Sequence, residues 1–507
     1  MVLPRKGRAN HGQSARGWRG RDRPALAGLL TLLLVLTVGR PGIPQVEARE
    51  GLAAVYRAAA SAAAIGTRFQ RAYAIPGIQG LTALAAAPTA DGGFLLAGIA
   101  GNPYSTSDFW VMKTDAAGNV QWSRTYNVLQ KDGGGLPPEG GRALDLVPTP
   151  DGGFLLAGST CCYGGKAVAE VLKINVSGDV LWNKTYRSPS VSISIRRAVA
   201  TSDGDFLLIG HSGPDATSHN MFAAKIGPDG TLRWSRIYDV IGNALDLVRD
   251  AAPTPDGGAL LVGQLFQAGA ALAFTIDGNG NVGWARGYGQ GFYINWEANT
   301  VVRLPGGDFV LAGFAEDTQG LGRGGPWVMR TDSSGNVSWA KWGPPFYAGA
   351  RRIVPLSDGN LLLAGTAWVT DFRDMAAAKM TPAGEVLWKR RYGRAYDDGA
   401  DTAAAVPDGD FLLAGWSNDP AVNLKQDLYT VRADATGSSG CLEQDLPTGV
   451  TPIDLNTLVI GTPTVQATDI ALVVETLAPS VGVPATQSSI LCTGAMAWRL
   501  YLPLVLR

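Results

Sequence analysis

The stretch Asp151-Gly152-Gly153-Phe154-Leu155-Leu156-Ala157-Gly158 recurs in recognisable form, with copies starting at Asp91, Asp151, Asp203, Asp256, Gly306, Asp358 and Asp408. Successive copies lie 50 to 60 residues apart. Asp-Gly-Gly tolerates positive φ between two apolar runs, which is the chemistry of a tight turn joining antiparallel strands. A second signature follows each copy and ends in an aromatic, as in Lys113-Thr114-Asp115-Ala116-Ala117-Gly118-Asn119-Val120-Gln121-Trp122. Its glycine holds one offset throughout: Gly118, Gly178, Gly230, Gly280, Gly335, Gly384 and Gly437. A turn followed by a left-handed residue accounts for that constancy. Short apolar runs and glycine turns at this period mark a propeller or another repeat array.

Read from its aromatic, one unit is Trp122 to Tyr126, Arg142 to Thr149, Phe154 to Thr160 and Ala169 to Asn175, four strands in a meander. Such a sheet cannot bury both faces alone, whereas seven arranged radially can, with large aromatics wedged between neighbours. The aromatic column is Phe69, Trp122, Trp182, Trp234, Trp284, Trp339 and Trp388. The expected fold is all-β: a seven-bladed β-propeller of four-stranded antiparallel blades over residues 66–440. Two places after each aromatic stands a cation, namely Arg71, Arg124, Lys184, Arg236, Arg286, Lys341 and Arg390. Tyrosine follows two further on in six units, Trp342 being the exception. Strand alternation puts aromatic, cation and tyrosine on one face, where a cation between rings gains roughly 0.5–2 kcal/mol. The functional rival is a cationic ring lining the central channel; equal use in every blade favours the structural role.

These units, with Lys-x-Asp-x-x-Gly-x-x-x-Trp between them, resemble the delta-60-type repeats of secreted bacterial β-propeller proteins, and the likeness covers residues 66–440. It implies fold and location more than activity. The Asp-x-x-Gly-x-x-x-Trp part also resembles quinoprotein blades, a shared structural solution that does not by itself imply a quinone.

Residues 1–48 read as an export signal: a basic front from Arg5 to Arg23, the apolar run Ala25 to Val38, and Val46-Glu47-Ala48 at the cleavage point. Fourteen helical residues rise about 21 Å, short of the ~30 Å hydrocarbon core. An uncleaved amino-terminal anchor is the alternative. Eight of the 43 basic and two of the 43 acidic residues fall in that leader, leaving 35 against 41. An acidic mature chain argues against nucleic acid, whose binding is dominated by cationic contacts to phosphate. Residues 49–65 form an alanine-rich linker or short helix.

Four cysteines remain, Cys161, Cys162, Cys441 and Cys492, an even number in a chain expected outside the cell. The simplest arrangement pairs Cys441 with Cys492, with Cys161 and Cys162 either a vicinal bond or two thiols. Residues 441–494 are then a disulfide-closed β extension packed on the propeller, sealing the seam between first and last blades, and 495–507 a tail too short to span a bilayer.

Candidate chemistry is sparse. Gly278-Asn279-Gly280-Asn281-Val282-Gly283 matches a dinucleotide fingerprint but opens a strand, where that motif opens a helix. As a calcium loop the stretch from Asp277 fails at Val282 and Tyr288. His211, Asp215 and His219 offer metal-ligating groups, yet solvated loop histidines are the plainer reading, so neither metal nor cofactor is expected. Selectivity should sit where the units differ. Six residues before each turn the column reads Ala85, Asp145, Arg197, Asp250, Thr300, Arg352 and Thr402. Asp145, Arg197, Asp250 and Arg352 are therefore the candidate ligand-binding residues, ordinary surface variation being the alternative. The long loop Asn127 to Gly141 is a second asymmetry, at a place where recognition often resides, a merely tolerated insertion being the equal alternative. The favoured reading is a secreted or cell-surface monomer that binds protein or glycan without catalysis. An extracellular propeller enzyme of glycosidase, lyase or quinoprotein type and a structural envelope protein are the rivals.

Overall fold

The computed structural model describes residues from Arg68 to Thr493, apart from stretches within several loops; residues 1–67, 128–141 and 494–507 lie outside the description, and with them the leader, the linker, the long loop and the tail. Every regular element among the described residues is a strand.

Seven four-stranded antiparallel sheets form blades I (81–127), II (142–187), III (192–240), IV (246–289), V (294–342), VI (350–392) and VII (398–433). Blade VII has only three strands of its own and is completed by β1, Phe69–Ala74, from the start of the propeller. The first strands of successive blades lie side by side all the way round, blade I against blade VII, so they form the inner wall of a closed ring. The sequence unit therefore spans two blades. The tryptophan strand pairs with the strand before it, Val120–Asn127 with Asp108–Thr114 in blade I, because the Asp-x-x-Gly turn is a hairpin. The connection after tyrosine is the crossover to the next blade.

Each motif residue has a mechanical task. Phe154, Leu155, Leu156 and Ala157 are all buried, because the second strand packs neighbouring blades on both faces. Burying one such large side chain stabilises by roughly 1.5–3 kcal/mol. The closing glycine of the motif faces a bulge in the inner strand. A Cβ on Gly210 would stand 1.8 Å from the Ser194 carbonyl oxygen, and one on Gly263 1.7 Å from that of Leu247. No side chain fits there.

The glycine of the second turn is fixed twice over. Gly280 has φ +79°, and a Cβ there would lie 2.9 Å from the Trp234 ring of the preceding blade. Tyr238 of that blade donates its hydroxyl to the Gly280 carbonyl at 2.9 Å. The same latch joins Tyr73 to Gly118, Tyr126 to Gly178, Tyr186 to Gly230, Tyr288 to Gly335 and Tyr392 to Gly437. Where Trp342 replaces tyrosine, Lys341 donates to the Gly384 carbonyl instead. The tryptophans themselves are half-buried lids over the turns. The deepest large rings are Trp110, Trp296 and Trp327 on other strands.

The segment after Cys441 goes well beyond a seal at one seam. It travels the ring in reverse and lays a fifth, outermost strand on every blade. These are β29 (Glu443–Asp445) on blade VI, β30 (Thr451–Pro452) on V, β31 (Val459–Gly461) on IV and β32 (Val465–Asp469) on III. Then come β33 (Val473–Thr476) on II, β34 (Ser480–Gly482) on I and β35 (Gln487–Thr493) on β1 of blade VII. An outer strand left bare would offer its N–H and C=O groups to any passing chain. Here all seven are covered. Side chains reinforce the belt: Asp469 pairs with Arg236 at 2.8 Å, Asp445 with Arg390 at 2.7 Å, and Val465 and Ile470 pack on the blade cores.

Candidate functional site

The two faces of the ring differ. One carries only tight repeated turns, fourteen in all, each closed by backbone hydrogen bonds such as Thr149 N to Gly153 O and Asn175 N to Asp179 O. A cation on the third strand clamps the Asp-Gly turn in blades I to III and V to VII: Lys113 to Asp91, Lys173 to Asp151, Lys225 to Asp203, Arg330 to Asp308, Lys379 to Asp358 and Arg432 to Asp408. The Lys173 hydrogen bond holds the Asp151 carboxyl down at about 2, helped by Thr149. This face is committed to holding the ring. The opposite face carries the irregular connections between strands and between blades.

Every inner strand bulges at one register. The residue after the bulge turns into the seam between blades, and there stand the four predicted ligand residues. Arg197 bridges Asp145 and Asp250 of the flanking blades, at 2.8 Å to each. Asp145 also accepts from the Ala198 amide, and Asp250 from the Val301 amide and the Thr300 hydroxyl. Arg352 stands 3.8 Å from Asp250. Burial opposes the charge on Arg197, but Asp145 and Asp250 outweigh it and raise its pKa. The structure thus brings the four together as a polar collar tying blades II to VI, in which Asp145, Arg197 and Asp250 satisfy one another and Arg352 adds a longer-range charge. Asp145 and Asp250 are 2% and 3% exposed, leaving little of them for a ligand.

The bulged residues, one position earlier, are Leu84, Leu144, Arg196, Arg249, Asn299, Arg351 and Asp401. They occupy equivalent backbone sites on the inner wall but divide in chemistry: leucine on blades I and II, polar or charged groups on blades III to VII. Arg249 meets Glu297 of the next blade at 2.8 Å. Burial lifts the Asp401 carboxyl to about 6, and Arg351 opposes the rise. On the second strand of blade VII, Trp416 packs on Gly399, where a Cβ would come within 2.7 Å of its ring, and the Arg373 guanidinium of blade VI sits over the indole, 5.1 Å from its centroid. Asp397 holds Arg373 at 2.8 Å. Guanidiniums on the inner wall are groups by which a carboxylate or sulfate can be held. Sequence reading missed this set by one residue, because counting back from the turn is blind to the bulge.

Further out on blades VI and VII, burial raises Asp374 against Arg391, and lifts Asp398 to about 7 against its Ser417 hydrogen bond and Arg394. They are 1% and 0% exposed, so neither reaches a substrate.

The cation column lies on the outermost strand of each four-stranded blade, away from the axis. Arg124 and Arg286 stack on Trp122 and Trp284 at 5.4 and 5.7 Å, and Arg124 reaches Asp179 of the next blade at 2.9 Å. That ring does not line the channel. His211 and His219 stand on paired strands, correcting the loop reading, with ring centroids 4.9 Å apart. Burial brings His211 down to about 3, with Arg196 and His219 adding to the effect. Among the described residues no group of three or more metal-ligating side chains is assembled. The Asp215, Cys161 and Cys162 side chains lie outside the description.

This geometry defines the class: a seven-bladed β-propeller. No family model matches the chain, and no curated protein matches it. Solved structures similar to it include Sqt1 from Chaetomium thermophilum bound to the N-terminus of a ribosomal protein, at 12% identity and TM-score 0.34, covering 70% of this chain and 98% of that one. The polysaccharide lyase Uly1 is similar at 9% identity and TM-score 0.42, covering 71% and 91%. A glucose dehydrogenase is similar at 13% identity and TM-score 0.34, covering 70% and 99%. Such likeness speaks to fold alone.

Proposed function

We propose that this propeller is a secreted or cell-surface binding module, monomeric and non-catalytic, that holds an acidic glycan at the channel mouth on its loop-bearing face. The observation that carries the reading is the bulge ring. Seven equivalent backbone positions carry two leucines, then Arg196, Arg249, Asn299, Arg351 and Asp401, on a scaffold whose turns and strand cores repeat. Arg249 is paired with Glu297, and three guanidiniums against the two carboxylates of Asp401 and Glu297 leave a net positive charge that favours a carboxylate or sulfate. The resemblance to delta-60-type secreted propellers and the leader in residues 1–48 support the location. So does the strand-edge cover, which suits a protein exposed to other chains.

A glycan array combined with thermal shift on the mature chain tests this. Binding should favour uronic or sulfated glycans, weaken with salt, and fall at least tenfold in Arg196→Ala/Arg351→Ala while the melting temperature holds. Undiminished binding in that variant, or a preference for a protein ligand, would remove the assignment. One observation favours an enzyme: Asp401, lifted to about 6, has the character of a general acid. Asp401→Asn should leave binding intact, and loss of polysaccharide cleavage in that variant would decide for the enzyme.

A further inference from the structure

Cys441 and Cys492 stand at the two ends of the belt, and the belt goes once round the molecule. Between them the chain touches blades VI, V, IV, III, II and I in turn and finishes on blade VII, beside where it started. Gln70 on β1 marks the meeting point. Its side-chain amide donates to the Cys441 carbonyl and, at 2.9 Å, to the Ser439 hydroxyl, and in the β1–β35 register its partner is Cys492. Both cysteines therefore belong to one small neighbourhood of blade VII, although 51 positions separate them in sequence. No described cysteine is a free thiol.

We propose that a Cys441–Cys492 disulfide turns residues 441–492 into a covalent hoop with the seven blades threaded through it. The bond forms by thiol–disulfide exchange. The two thiols give up two protons and two electrons to an external disulfide donor, which leaves as two thiols. Its consequence differs from that of a local staple. A propeller opens by separating its first and last strands, here β1 from the Asp427–Ala433 strand, so that the blades splay outward. A hoop of fixed contour on the outside forbids that splay until it is cut. The strands of the belt pair over as few as two residues, as Thr451–Pro452 does on blade V, so as an open ribbon it would peel from one end. Closed, it has no end to peel from. The ring is thereby locked in oxidising surroundings and released in reducing ones. This inference stands independently of what the channel binds.

The test uses the mature full chain. Non-reducing peptide mapping should find the Cys441 and Cys492 peptides joined. Reduction of the native protein, Cys441→Ser, Cys492→Ser and the double variant should each speed unfolding in guanidinium by the same factor, at least tenfold, since any one opens the hoop. A specific protease site placed between β30 and β31, on the side of the ring away from the cysteines, supplies the discriminating arm. Cutting there with the disulfide intact should speed unfolding as much as reduction does. Free thiols at both positions, pairing with Cys161 or Cys162, or a distal cut that leaves the unfolding rate unchanged would each overturn the hoop.

Discussion

At the scale of the residue, the turn glycine and the tyrosine facing it are one device. Tyr238 is 0% exposed and spends its hydroxyl on the Gly280 carbonyl. Tyr238→Phe should cost about 1–2 kcal/mol in denaturant unfolding, the penalty for leaving that carbonyl unpaired. Gly280→Ala should cost more, because it adds left-handed strain to a collision with Trp234; a milder effect than Tyr238→Phe would show that the turn yields. The tyrosine column and the glycine column are both plain in the sequence. Their contact was hidden, since it joins residues 42 apart on different blades. Buried carboxyls act in the opposite sense. Asp398, lifted to about 7 from 3.8, takes up its proton more tightly folded than unfolded, so it subtracts stability as pH climbs from about 4 through 7. Asp398→Asn should melt close to wild type at pH 4 and pull ahead by roughly 2–4 kcal/mol at pH 8. A gap that stays flat across that range would contradict the burial assigned to it.

At the scale of the element, the hairpins are held by charge on one face and by loops of free composition on the other. Asp151, held at about 2 by Lys173, stabilises its turn above about pH 4 and loses that contribution as pH falls through about 2. Being half exposed, the pair should be worth less than about 1 kcal/mol, so Lys173→Met should narrow the loss of stability between pH 4 and pH 2 only slightly; a large effect would mean that the clamps act as one network. The recurrent lysine was legible as part of a motif, but its partner was not, because the aspartate belongs to the previous turn 22 residues back. The bulge shows why the proposed site lies one residue before the column that the sequence singled out. No glycine or proline stands at the bulged position to announce it, and its signal is the closing glycine of the second-strand motif, which reads as an ordinary strand residue.

At the scale of the molecule, blade number and β architecture followed from the repeat, whereas the belt had no period to betray it. Its strands run two to seven residues, take their register from the blades they cover, and share no motif. Removing residues 443–507 should leave seven blades with bare outer edges, and the product should self-associate through them, as sedimentation would register; a monodisperse truncated chain would show that the edges protect themselves. Hydrogen exchange reads whether the outer strand of each four-stranded blade is an interior strand of a five-stranded sheet. Phe69–Ala74 pairs on both sides along most of its length, and Leu232–Val240 does so at Arg236, Ile237 and Tyr238. Successive amides in Arg236–Tyr238 and Gln70–Tyr73 should be protected alike, close to the level of the second strands. Protection of alternate amides only, with the rest exchanging as in open chain, would mean a ring with bare edges and no belt around it.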